Sequence, residues 1–238
     1  MVRPLGDFHI HTIASGHAYS TLSEIISHAK SIGIKYVGIA DHGPKMLDGP
    51  HPFYFSNMSV IPKEINGINI KKGIEINILD EHGNIDFDED AFKKLDYAIA
   101  SFHEVIGPLG LSPEKYLNIY EKVVVKPYVK VIGHPGNPKF PVLIPEFVAL
   151  CKENHVAIEI NNSSFIHTRK GSYDNCFRIA QEAKRQNADL LLSSDAHIHY
   201  DVANFSSALD LLAKAEIPEQ LIVNFNKEKI ESYFDKKW

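Results

Sequence analysis

Arginine is scarce in this chain. Four residues, Arg3, Arg169, Arg178 and Arg185, are scattered over 238 positions. A protein that grips a nucleic-acid duplex needs more of them, and needs them clustered. Positive charge is short overall, since 25 Lys and Arg face 30 Asp and Glu for a net charge of −5. Nucleic acid is therefore not the expected partner. Cysteine is rarer still. Cys151 and Cys176 form no CxxC pair and fall in helical-looking segments, as buried thiols of a reducing compartment would. No run approaches the ~20 apolar residues of a membrane helix. No apolar stretch follows Met1 that would serve as a signal peptide. The expectation is a cytoplasmic protein with no membrane contact. One domain over residues 1–238 suits the length, because barrels often run about 200–250 residues as a single unit.

What is present is alternation. Short runs rich in Ile, Val and Leu recur at 8–12, 36–42, 70–77, 96–103, 129–134, 156–161 and 189–197. They are too short for helices, and their continuous apolarity marks strands buried on both faces of a parallel sheet. Amphipathic stretches lie between them. Thr21-Leu22-Ser23-Glu24 fits a capping box ahead of an apolar face that ends at Gly33. Ser112-Pro113 is a second helix start. Further helices are expected over 143–154, 174–187 and 203–215, with a short terminal one over 227–236. The segment 43–68, with four prolines, is expected to be a long irregular loop over a site. Seven strands alternating with helices mean α/β, and the absence of a reversal point favours a barrel over an open sheet.

The runs share an ending. The first carries His9 and His11, the second His42, the third Glu75, the fourth His103, the fifth His134, and the seventh Asp195 and His197. His17 follows the first run in its loop. In a (β/α) barrel the C-terminal strand ends face one mouth, so side chains scattered in sequence converge there. His9 and His11 are two apart on a strand and share a face, with Ile10 turned the other way. A lone histidine is more often packing or surface. This many at successive strand ends is not coincidence. His28, His51, His82, His155, His167 and His199 are better read as solvated or packed, though His167 and His199 also follow strand ends closely. Imidazole suits zinc, iron or manganese, and the lack of a cysteine ligand argues against a purely structural zinc site.

The phrases HIHT (9–12), ADHG (40–43), GIEIN (73–77), SFHE (101–104), GHPGNP (133–138) and SSDAH (193–197) resemble the PHP family, named for polymerase and histidinol phosphatase. HAYSTLSE (17–24) and EINNSSFIHTRKGSYDNC (159–176) are similar to its YcdX-like branch of probable phosphatases. The resemblance spans nearly the whole chain. It implies a distorted, TIM-like (β/α)7 barrel with three divalent ions per chain, usually zinc, with manganese or iron as alternatives. Carried over residue by residue, one ion takes His9, His11, Glu75 and Asp195. A second takes Glu75, His103 and His134, with Glu75 bridging. The third takes His17, His42 and His197.

The resemblance also implies phosphoester hydrolysis of a small-molecule phosphate ester, with a metal-activated hydroxide at the trinuclear site. Glu75, Asp195 and Arg169 are the expected catalytic residues. Arg169, Asn162, Ser163 and Lys139 are the candidates for substrate. A guanidinium fork suits phosphate, but a surface arginine in a loop fits the same sequence. Asp7 and Asp41 precede ligands directly and read equally as orienting acceptors or as solvated strand ends. Rival readings are a phosphodiesterase or exonuclease, a metal-binding regulatory protein without turnover, and an amidohydrolase-like enzyme. A homo-oligomer stays open.

Overall fold

The computed structural model describes residues 3–235, without the side chains of 89–91. The strands are β1 (Gly6–Ile10), β2 (Tyr36–Ile39), β3 (Glu64–Ile65), β4 (Ile68–Asn77), β5 (Tyr97–Ser101), β6 (Val129–Ile132), β7 (Ala157–Asn161) and β8 (Leu190–Ser193). Seven of them pair in parallel in the order β1-β2-β4-β5-β6-β7-β8, and β3 is an antiparallel appendage on the start of β4. Ile10 bridges Ala196 in parallel, and the His11 amide donates to the Ala196 carbonyl at 2.9 Å. The first and last strands thereby meet and the sheet closes. This is the expected seven-stranded, TIM-like barrel.

The helices are α1 (Leu22–Ser31), α2 (Pro52–Ser56), α3 (Pro113–Val124), α4 (Ile144–Glu153), α5 (Ser163–Ile166), α6 (Ser172–Gln186), α7 (Ser206–Lys214) and α8 (Lys227–Phe234). The capping box of α1 forms as read. The Glu24 amide donates to Thr21 Oγ1 at 3.3 Å, and the Thr21 amide donates to the Glu24 carboxylate at 2.7 Å. Ile25, Ile26 and Ala29 then turn into the core. The barrel is distorted because two crossovers lack a full helix. The expected loop 43–68 folds into α2, a 3-10 turn (Asn57–Val60) and β3. The connection after β4 holds only a 3-10 turn (Glu89–Lys94). The terminal helix forms over Lys227–Phe234, and residue 236 of its expected range lies outside the described residues.

Two apolar cores result. The larger lies between the sheet and the helices, where Ile10, Ile74, Ile132, Phe147, Ile158 and Ile179 pack. The smaller fills the barrel and contains Phe8, Tyr97, Ile99, Val131, Leu191 and Phe234. Phe234 of α8 stacks on Phe8 at 4.3 Å and meets Tyr97 edge-on at 4.8 Å, plugging the N-terminal end. Gly73 makes room for this packing, because a Cβ there would fall 2.4 Å from the Tyr97 ring. A register shift between Asp7 and Ile10 lets neighbouring residues of β1 both serve the interior. Phe8 joins the plug while His9 reaches the mouth.

Candidate metal centre at the mouth of the barrel

At the C-terminal strand ends the apolar filling gives way to polar side chains. His9, His11, Asp41, His42, Glu75, His134, Glu159 and Asp195 are buried there. Glu75 is the hub. Its Oε1 lies 3.0 Å from His134 Nε2 and 3.2 Å from His103 Nε2. Its Oε2 lies 2.7 Å from His42 Nδ1, 3.4 Å from His9 Nε2 and 3.6 Å from His11 Nε2. Asp195 Oδ1 approaches His11 Nε2 at 3.2 Å and His9 Nε2 at 3.7 Å. At the outer lip His17 Nε2 and His197 Nε2 are 2.9 Å apart.

Several of these approaches are not aligned as hydrogen bonds. Among the described residues, His9 Nε2, His11 Nε2, His42 Nδ1, Glu75 Oε2 and His103 Nε2 are buried polar atoms without a hydrogen-bond partner. Such atoms are costly unless something satisfies them. Here they point at one another, as donors around a shared cation do. Three overlapping groups are close enough to hold an ion: His9, His11 and Asp195; His42, Glu75 and His103; His11, His42 and His197. His17 and His134 border these groups without belonging to one. The donor set, imidazole and carboxylate without thiolate, fits zinc, manganese or iron.

For five of the imidazoles the reverse side explains why one nitrogen faces inward. His9 Nδ1 donates to Glu159 Oε1 at 2.6 Å, and His103 Nδ1 to Asn77 Oδ1 at 2.6 Å. His17 Nδ1 donates to Asp48, and His197 Nδ1 to the Asp195 carbonyl at 3.0 Å. His11 Nδ1 donates to Ser15 Oγ at 3.3 Å, and that hydroxyl donates to Asp41 Oδ1 at 2.7 Å. In all five, a proton on Nδ1 leaves Nε2 as the ligand atom turned toward the cluster. Acceptors behind metal-facing histidines fix tautomer and ring orientation in this way.

Asp41 thus acts through Ser15 and also accepts from Thr12 and from the Tyr54 hydroxyl of α2 at 2.6 Å. Asp7 does not touch an imidazole. It ties β1 to the Ser194 hydroxyl and the Ala203 amide. Glu159, Asn77 and Asp48 were not among the residues singled out from the sequence. Glu159 had a signal, a lone carboxylate inside the apolar run VAIEIN. Asn77 and Asp48 had none.

Charge in the site is divided. Burial would lift the Glu75 carboxyl, but His103, His9 and His42 around it hold it well below the usual carboxylate range. Burial would likewise lift Asp195, and His9, His11 and Arg169 reverse it. His9 is opposed by burial yet raised well above the ordinary imidazole value by Glu159, Glu75 and Asp195. His134 is pushed down to about 4 by burial and by Arg169, and His11 well down by burial, His42 and His197. His42, like His9, is raised by Glu75 against its burial, so His9 and His42 hold protons that an incoming cation would displace, while His11 and His134 stand neutral beside ionised carboxylates.

His134, Arg169 and Asp195 all take left-handed backbone conformations, with φ of 31°, 50° and 56°. Strain of this kind collects at functional sites and costs on the order of 1–3 kcal/mol per residue.

A cavity of about 350 Å³ opens over the cluster, lined by His17, His42, His103, Ser163, Arg169 and Asp195 among others. Arg169 Nη1 donates to Asp195 Oδ2 at 3.1 Å, to Ser164 Oγ at 3.2 Å and to Thr168 Oγ1 at 3.1 Å. Of the other substrate candidates, Ser163 lines the cavity. Asn162 does not, and its side chain accepts from the Ala208 amide at 3.0 Å. Lys139 is exposed and lies outside the cavity lining. His167 lines the cavity, whereas His199 is bound to Ser20 away from it. A larger recess of about 700 Å³ lies along Phe53–Ile61, and no histidine lines it.

A closed parallel barrel with a cluster of ligand-type side chains at its C-terminal mouth defines the class of protein. The chain belongs to the PHP domain family, whose model matches residues 7–163. It is 44% identical to a probable phosphatase of Thermoanaerobacter sp. (strain X514) over 97% of this chain and 94% of that one. It is 45% identical to a probable phosphatase of Proteus mirabilis (strain HI4320), covering 94% and 91%. Among solved structures, the histidinol phosphate phosphatase of Lactococcus lactis, complexed with zinc, L-histidinol and phosphate, superposes with a TM-score of 0.62. The two are 19% identical, over 89% of this chain and 94% of that chain, and share the fold.

Proposed function

We propose that this chain is a metal-dependent phosphatase that hydrolyses small-molecule phosphomonoesters. The observation that carries the reading is the set of buried, unpartnered ligand atoms converging around Glu75 at the mouth. The naming of its relatives as probable phosphatases supports the reaction class. Three ions, zinc in the first instance, would be held by His9, His11, Glu75 and Asp195; by Glu75, His103 and His134; and by His17, His42 and His197. Three overlapping groups of donor atoms support room for more than one ion. When bound, such ions polarise phosphoryl oxygens and lower the pKa of water from about 15.7 toward about 7.

The chain's own residues do the rest. Glu159, Asn77, Asp48 and Ser15 keep the imidazole nitrogens aimed inward. Asp195 enters as an ionised ligand, because its neighbours hold it far below the range in which it would carry a proton. All side-chain hydrogen bonds of Arg169 among the described residues leave through Nη1, so the rest of its fork is available to orient a phosphate in the cavity. Ser163 adds a hydroxyl on the same wall. One domain over 1–238 is supported by β8 and α8, which close and plug the barrel beyond the matched segment.

The test is a paired initial-rate assay on metal-loaded protein with p-nitrophenyl phosphate and bis-p-nitrophenyl phosphate. Preference for the monoester is expected. Preference for the diester would replace this reading with a phosphodiesterase. Silence on both with metal retained would leave a non-catalytic metal-binding protein.

A further inference from the structure

At the other end of the barrel, away from the mouth, lysines gather. The start of β4 lines a recess of about 450 Å³ with Lys71 and Lys72. Lys63 reaches it from ahead of β3, and Lys93 and Lys94 from the 3-10 turn before β5. Among the described residues two carboxylates, Asp96 and Asp235, share the lining. The described lining thus carries five lysines to two carboxylates, in a chain whose net charge is −5. Such a concentration repels itself and focuses a field on anions.

The fold holds the recess in shape. Lys72 is anchored in the β4 ladder, with its amide on Asp96 Oδ2 at 2.8 Å and its amine 3.4 Å from the Ile61 carbonyl. Lys71 is paired with Asp235 just past α8. Lys63 and Lys94 make no ion pair among the described residues, so their charge is uncommitted.

We propose that this recess binds a compact, multiply charged phosphate anion of the pyrophosphate or triphosphate type, independently of the site at the mouth. Ammonium groups act as point charges toward phosphate. The lining holds no arginine fork for bidentate carboxylate recognition. Among the described residues no aromatic ring on which a nucleobase would stack lines it, which favours an inorganic chain over a nucleotide or nucleic acid. The volume lies in the range of small-ligand sites.

The test is isothermal titration of the full metal-loaded chain with sodium tripolyphosphate premixed with magnesium, which limits stripping of the protein's own metal. Metal content is assayed before and after. One anion per chain is expected. The double variant Lys63→Ala/Lys94→Ala should bind at least about tenfold more weakly, with a further loss on raising salt from about 50 to about 200 mM. That variant should hydrolyse p-nitrophenyl phosphate at the wild-type rate, which separates this site from the mouth. Asp195→Asn, a change at the mouth, should leave the titration intact. Three outcomes overturn the proposal: equal binding by the double variant, loss of the heat in Asp195→Asn alone, or no saturable heat in the unsubstituted chain. Tighter binding of a single-stranded oligonucleotide to the same lysines would also overturn it, in favour of a nucleic-acid surface.

Discussion

Glu75 and Glu159 are both buried carboxylates among histidines, yet they sit on opposite sides of the same imidazole. Glu75 faces His9 Nε2, and Glu159 accepts from His9 Nδ1. Their amide variants should therefore differ. Glu75→Gln is expected to lose metal and phosphatase activity together, because a neutral amide bridges cations poorly. Glu159→Gln retains an acceptor for His9 and should keep its metal with about 10- to 100-fold weaker affinity. Competition with a graded chelator reads both, and equal affinities would reject the division of roles. Arg169→Ala should raise KM for phosphate esters with metal content unchanged, as measured by steady-state kinetics beside metal analysis. An unaltered KM would reduce Arg169 to a partner of Asp195.

At the scale of elements, β1, β4 and β5 do most of the positioning. Gly73 of β4 lies against the Tyr97 ring of β5, whose hydroxyl donates to the Phe8 carbonyl of β1. Gly73→Ala forces that ring aside and should destabilise the fold by about 1–3 kcal/mol, the usual cost of overpacking. Urea denaturation followed by circular dichroism measures it, and an unchanged midpoint would contradict the packing argument. Asp7 ties β1 to the chain after β8, and burial, only partly offset by its Ser194 and Ala203 bonds, raises it from 3.8 to about 6. Between those values the folded chain holds a proton that the unfolded chain has released. The contribution of Asp7 to stability is therefore full below the lower value and lost as pH rises through the upper one. The stability advantage of the unsubstituted metal-free chain over Asp7→Asn should shrink across that window, and a pH-independent difference would refute it.

For the whole molecule, the mouth is a set of charges and lone pairs that the fold brings together from seven strand ends. Cations bound there stabilise the folded state by mass action. With free metal at 1,000 times Kd that amounts to about 4 kcal/mol, or roughly 10 °C in Tm for a chain of this size. Removal of metal by a chelator should lower Tm on that scale, with recovery on adding zinc, followed by differential scanning calorimetry. No shift would argue against occupied sites at the mouth.

Much of this was legible in the sequence because strand-to-helix alternation and strand-end chemistry are local properties. Seven apolar runs, their order, the α1 capping box and the histidines that finish successive strands could all be read in windows of ten residues. Closure of the barrel could not, because it rests on Ile10 meeting Ala196 across the length of the chain. Nor could the β1 irregularity that turns Phe8 and His9 inward together, since strict alternation predicts opposite faces. The substrate candidates divided for the same reason. Arg169 and Ser163 reach the cavity, while Asn162 is taken up by Ala208 and Lys139 stays outside. Those outcomes depend on which side of a loop faces the mouth. The sequence by itself determined the alternation and the inventory of ligand-type side chains, because both follow from residue type and period. Only the tertiary structure decided which nitrogen each imidazole offers, because that is set by acceptors such as Glu159 and Asn77 arriving from other strands.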